Sequence, residues 1–155
     1  IVVRGPNVML GYYDDEAATR NILREGWLHT GDIGYFDEDG YLYICGRKKN
    51  MILVRGFNVY PEEVETCLLS CPLVMDCMVY GESTYSETET VSAQVVPSTP
   101  GITEKAIYNW CAAHLAAYKC PRQIQIVERL EKTSTGKIRR TGEDGQYEAD
   151  SSSRT

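Results

Sequence analysis

T-G-D-I-G-Y-F-D-E-D-G-Y-L-Y-I-C-G-R-K-K-N-M-I-L-V-R-G-F-N-V-Y-P-E-E-V-E, residues 30–65, is the stretch on which the reading of this chain turns. It opens on a polar turn that sets an acid, Asp32, between Gly31 and an apolar run. Residues 33–36 and 41–45 are aromatic and β-branched runs around Asp37-Glu38-Asp39-Gly40, and an Asp-Gly turn between such runs predicts a β-hairpin. Gly46-Arg47-Lys48-Lys49-Asn50 has no hydrophobic pattern and reads as a connector carrying three cations. Residues 51–55 read as an apolar strand ending at Gly56, with residues 58–60 extending away from it. Pro61-Glu62-Glu63 then opens a helix, because proline suits the first helical position and acids favour the helix N-terminus. Val64, Cys67, Leu68 and Cys71 recur at helical spacing and predict one buried face; Pro72 stops the helix.

Upstream, residues 1–13 read as β structure with turns. Asp14-Asp15-Glu16 heads a short helix over residues 16–23, and residues 27–29 make a short strand. Downstream, residues 73–80 and 91–96 read as strands separated by a polar loop over 81–90. Thr103 can cap a helix over residues 104–117, with Ile107, Trp110, Cys111 and Leu115 on one face. Residues 123–127 alternate Gln and Ile, which suits an edge strand. The order after Lys49 predicts an α+β unit with two helices packed on a sheet, preceded by a β-rich piece. The expected division is residues 1–48, residues 49–140, and a tail over 141–155 whose lack of apolar residues predicts disorder. The start reads as a strand entered partway, so the chain is expected to be part of something longer.

The 155 residues carry a formal net charge of −6, which argues against a broad nucleic-acid-binding face but leaves room for a local basic site. No apolar run is long enough for a membrane span. The six cysteines form no C-x-x-C pair, and they read as small buried hydrophobes in a reducing cytoplasm rather than as metal ligands.

Taken one at a time, the polar motifs are weak. Asp32 can accept hydrogen bonds from a vicinal diol, but an Asp turn bonding its own backbone explains it as well. Arg47, Lys48 and Lys49 suit a phosphorylated ligand or a solvated linker. Lys137 follows Thr133-Ser134-Thr135-Gly136, yet the leading glycine of a phosphate-binding loop is missing, since Glu131 stands there. His29 and His114 have no acidic or cysteine partner at a catalytic spacing, and His114 reads as a packed side chain near the apolar helix face.

In this order and spacing the motifs resemble one family. Residues 26–65, together with E-K-T-S-T-G-K-I-R-R at 131–140, look like the C-terminal part of an adenylate-forming enzyme, the group that includes acyl-CoA synthetases, peptide-synthetase adenylation domains and luciferases. The V-R-G-F-N-V-Y-P-E-E-V-E wording is most similar to fatty-acyl and other acyl-CoA synthetases. The resemblance implies a two-step reaction. A carboxylate attacks Mg-ATP to give an acyl adenylate, and a thiol, usually of CoA, then displaces AMP, with a small C-terminal domain swinging between two poses. It further implies that Asp32 and Arg47 bind the nucleotide ribose, that Lys49 is the hinge, that Gly56 and Phe57 line the CoA channel, and that Lys137 is the catalytic lysine of the first step. A side chain at Gly56 is expected to obstruct that channel.

Three departures stand out: Glu131 where a proline is usual, Thr88-Glu89 where Gly-Glu is usual, and a divergent ending after Arg140. The phosphate-gripping loop and the acyl pocket of the family are not in this sequence, so the Mg2+ ligands are expected outside it, and the chain alone is expected not to adenylate. Partners implied are a carboxylate, ATP, CoA and the remainder of the large domain, with peripheral membrane contact left open. A domain that loads a carrier protein, and a non-catalytic remnant that binds nucleotide or a partner, remain as alternatives.

Overall fold

The Asp-Gly hairpin is present in the computed structural model, which describes residues 1–83, 89–134 and 138. Strands β4 (Asp32–Phe36) and β5 (Leu42–Arg47) pair antiparallel. The Asp37 carboxylate closes the loop between them by accepting from the backbone N–H groups of Asp39 (3.1 Å) and Tyr41 (2.8 Å). Ahead of the hairpin, β1 (Val2–Val3), β2 (Leu23–Arg24) and β3 (Trp27–His29) form a small sheet in the order β1-β3-β2. Helix α1 (Glu16–Ile22) starts at Asp15, whose side chain accepts from the N–H of Ala18. The β structure expected over the first thirteen residues is confined to Val2–Val3 and one bridge, Tyr12 to Asp15.

After a single 3-10 turn, Lys48–Asn50, comes the second unit. Strands β6 (Ile52–Val54) and β7 (Phe57–Val59) form a tight hairpin, followed by helix α2 (Pro61–Leu69). Strands β8 (Val74–Ser83) and β9 (Glu89–Pro97), helix α3 (Glu104–His114) and strand β10 (Gln123–Ile126) complete it. The sheet order is β10-β9-β8, with β8 and β9 antiparallel and β9 and β10 parallel, so β10 is the edge that its Gln-Ile alternation anticipates. The α+β class stands.

Val64 and Leu68 of α2 and Ile107 and Cys111 of α3 are fully buried against Val79, Val91 and Val95 of the sheet. Trp110 Nε1 donates to the Cys67 carbonyl (3.1 Å), and Lys119 Nζ meets the Glu63 carboxylate (2.5 Å), so polar contacts also tie the α3 region to α2. Alternate residues of β8 serve the other face, where Met78 joins Val96 and Leu130 in a satellite cluster flanked by Ile138.

Several boundaries differ from the sequence pattern. Residues 58–60 turn back on β6 rather than extend away, because Arg55 (φ 50°) and Gly56 (φ 87°) both adopt positive φ, as a two-residue hairpin turn requires. Gly81–Ser83 and Glu89–Thr90, read as loop, pair across β8 and β9, since backbone bonding continues past the last apolar residue. Gly46 and Arg47, read as connector, belong to β5 because Ile33 and Asp32 give them partners. Helix α3 stops at His114, short of residue 117: Leu115 turns extended (ψ 153°) as its N–H bonds the Cys111 carbonyl. His114 itself is exposed, with its ring stacked on Trp110 at 4.3 Å. The tail over 141–155 lies outside the described residues.

No cysteine forms a disulfide, and Cys71, Cys77, Cys111 and Cys120 are buried. Burial, and then the neighbouring Cys67, push the Cys111 thiol from 9.0 up to about 12. An acid whose folded pKa is raised keeps its stabilising effect below the unfolded pKa and loses it as pH rises towards the folded one. Stability should therefore fall between pH 9 and about pH 12, with this thiol contributing to the decline. Urea titrations across that range should show a flatter decline in Cys111→Ala, although its stability at neutral pH is lower. An unchanged slope would show that the thiol is not responsible.

Candidate functional site

Asp32 and Arg47 lie fifteen residues apart in sequence and directly opposite each other in the β4–β5 register. Arg47 Nε donates to Asp32 Oδ1 at 2.9 Å. The arginine side chain is half exposed, so the pair contributes about 1 kcal/mol or less to stability and serves mainly to orient the two groups. The turn before β4 is set by Thr30, whose hydroxyl accepts from the Asp32 N–H (3.0 Å) and donates to the Ile1 carbonyl (3.1 Å). The Lys48 N–H reaches the Gly31 carbonyl at 2.8 Å and closes the same end of the hairpin.

This end of the hairpin borders a cleft of about 880 Å³. Asp32, Arg47, Lys48 and Lys49 supply its charged wall; Met9, Tyr12, Ile22 and Leu28 supply an apolar one. A carboxylate beside a guanidinium at the mouth of a half-apolar cleft can hold a diol and a flat ring together. His29 and Thr30 line the cleft as well. His29 has no catalytic partner at a local spacing, and Met9, Tyr12 and Ile22 carry no local signal; the fold brings all four to the cleft.

Gly56 and Phe57 are not part of this cleft. They sit at the tip of the β6–β7 hairpin, where Phe57 is exposed and its ring stacks on Tyr118 at 4.7 Å. A separate groove of about 290 Å³ beside that tip is lined by Arg55, Arg122 and Tyr118, a set able to meet a phosphorylated ligand. The structure thus brings Asp32, Arg47 and Lys49 together and holds Gly56 and Phe57 apart from them. Lys137 lies outside the described residues. Its flanks are placed: Lys132 and Ile138 form a β-bridge, and Lys132 Nζ stands 3.7 Å from Asp76. Among the described residues no three of His, Cys, Asp and Glu are close enough to hold a metal ion. Among the described residues no helix is long and apolar enough to cross a membrane.

A Cβ on Gly56 would meet nothing within 4 Å, so within this chain glycine is demanded by backbone conformation and not by space.

Residues 63–137 match the AMP-binding enzyme C-terminal domain. The long-chain-fatty-acid–CoA ligase of Salmonella typhimurium is 46% identical over 140 residues, which is 90% of this chain and 25% of that protein. The solved o-succinylbenzoate CoA synthetase of Bacillus subtilis, in complex with its acyl-adenylate intermediate, superposes with a TM-score of 0.82 at 36% identity, over 88% of this chain and 28% of that one. The unliganded form of the same enzyme gives 0.72 at 34% identity, over 83% and 27%. The chain spans about a quarter of the length of the curated relative it matches.

Because the Gly56 constraint is conformational, Gly56→Ala should destabilise this chain by about 1–2 kcal/mol, and Gly56→Asn by less, since asparagine tolerates positive φ. Denaturant midpoints give the order. If the larger asparagine proves the worse of the two, crowding and not φ is the constraint.

Proposed function

We propose, for a chain that corresponds to the C-terminal part of an adenylate-forming acyl-CoA synthetase, that the whole protein joins a carboxylic acid to CoA through an acyl adenylate. The observation that carries this reading is the cross-strand pair of Asp32 and Arg47 on the charged wall of the cleft. In this role Asp32 accepts from the ribose hydroxyls of ATP and then of the adenylate, and Arg47 holds the carboxylate in place and supports the same ribose. The apolar wall suits the flat faces of the nucleotide. Lys137 delivers positive charge to the carboxylate and α-phosphate as charge develops there. The ligands of Mg2+ belong to the rest of the protein.

The two half-reactions need different groups at one place. Gly56 and Phe57, on the proposed CoA channel, stand off the cleft in the present arrangement, so thiol transfer requires the second unit to turn. We place that rotation at Lys49, within the single 3-10 turn that joins the units, and assign residues 1–48 to the large domain and 49–140 to the mobile one. A fatty acid is the proposed substrate, on the likeness to the Salmonella ligase. The absence of disulfides among the six cysteines and the use of ATP and CoA suit the cytoplasm.

The full-length protein tests each part. Supplied with ATP, CoA and either a long-chain fatty acid or o-succinylbenzoate, it should form thioester with the fatty acid; preference for the aromatic acid would overturn the substrate assignment. Lys137→Ala should cut pyrophosphate release by about 10²–10³-fold while sparing thioester formation from supplied acyl adenylate. Lys49→Pro should do the reverse, because a fixed φ at the joint restricts the turn. Equal losses in both half-reactions would refute the two-pose assignment.

A further inference from the structure

Gly46 is buried, although both its neighbours in sequence are more open. It lies near the end of β5, opposite Ile33, one residue before the Arg47 that meets Asp32. The first turn of α2 and the residue before it cover it. A Cβ built on Gly46 would run into the Glu62 carboxylate, with Glu62 Cδ at 3.0 Å and the Tyr60 ring edge at 3.4 Å. The Glu62 side chain from the first turn of α2, with the Tyr60 ring beside it, therefore closes on the backbone of the strand that carries Arg47. This seat lies across the 3-10 turn, between one residue of the first unit and two of the second.

This contact belongs to one arrangement of the two units. Gly56 and Phe57 are off the Asp32–Arg47 cleft here, so it is not the arrangement that carries a thiol to the adenylate. A turn about Lys49 large enough to bring the β6–β7 tip to the cleft carries α2 with it, because α2 and β6–β7 share one buried core through Val64, Leu68, Ile52 and Val59. The seat on Gly46 must then open. We infer that Gly46 is a positioning residue for the first half-reaction: its missing side chain lets Glu62 and Tyr60 close on β5 in the adenylate-forming pose, while the thiol-transfer pose makes no use of the seat. The inference rests on the two-pose reading above.

A side chain at Gly46 has two effects that can be separated. It crowds Glu62, and it strains a backbone at φ 157°. Strain acts in both poses, but crowding acts only where α2 is seated, and only crowding is relieved when Glu62 is shortened. In the full-length protein, Gly46→Ala should lower pyrophosphate release at least about tenfold more than it lowers thioester formation from supplied acyl adenylate, the factor expected of overpacking by one methyl group. The double variant Gly46→Ala with Glu62→Ala should recover most of that difference, measured against Glu62→Ala alone. The inference is overturned if both half-reactions fall together in Gly46→Ala, or if shortening Glu62 restores nothing. Lys137→Ala, assayed in parallel, reports on the underlying reading. A Lys137 split without a Gly46 split overturns the seat alone, whereas loss of both splits overturns the two-pose reading with it.

Discussion

Burial of one apolar face of α2 and one of α3 on the β8–β9–β10 sheet is the constraint on which the second unit depends. Val64, Leu68, Ile107 and Cys111 are withdrawn fully from water there. Each side chain of this kind contributes about 1.5–3 kcal/mol on leaving water, and interiors packed this closely do not deform smoothly. The unit therefore behaves as one body. The β6–β7 hairpin is anchored into the same core by Ile52, Val54 and Val59. Its edge is tied further by the Leu53 N–H, which donates to the Glu89 carboxylate at 2.6 Å. The tip that carries Gly56 and Phe57 and the turn that carries Glu62 are thus fixed relative to each other, and a displacement of one displaces both.

The first unit supplies a different thing. Within this chain Tyr35, Phe36, Tyr43 and Ile44 of its β4–β5 hairpin are exposed. What it supplies is register. Cross-strand pairing sets Asp32 against Arg47, and Thr30 and Lys48 pin the open end with hydrogen bonds from the flanking turns. Such pairing positions charges accurately at small energetic cost, which suits a site whose task is to orient a ligand. Between the units lies a turn of three residues, short enough that few torsions link a rigid body to a site-bearing strand. That economy is what makes Lys49 a credible pivot in the proposed mechanism and Gly46 a sensitive place in the interface.

The thiols illustrate how packing decides chemistry. Four of the six cysteines are buried in or beside the core, and desolvation raises Cys111 and Cys120 above the ordinary thiol range. Cys67, only partly covered, is raised for the same leading reason. A thiol held protonated is a poor nucleophile and a poor metal ligand. Their role here is that of small apolar side chains.

The sequence by itself determined the class of fold, the faces that α2 and α3 bury, the Asp-Gly hairpin and the capping at Thr103, because all of these follow from local periodicity and local turn chemistry. Its motifs also pointed to a resemblance, and residues 63–137 match the AMP-binding enzyme C-terminal domain; the roles of Asp32, Arg47, Lys49, Gly56, Phe57 and Lys137 are proposed on that resemblance. The tertiary structure decided what joins to what. It carried β5 through Gly46 and Arg47, folded residues 58–60 back into a hairpin, and drew Leu130 under the far face of the sheet. It added His29, Thr30, Met9, Tyr12 and Ile22 to the cleft, and it set Glu62 on Gly46. None of these has a local signature. Each depends on pairing register or on the approach of other segments, and such contacts are settled only when the chain has folded.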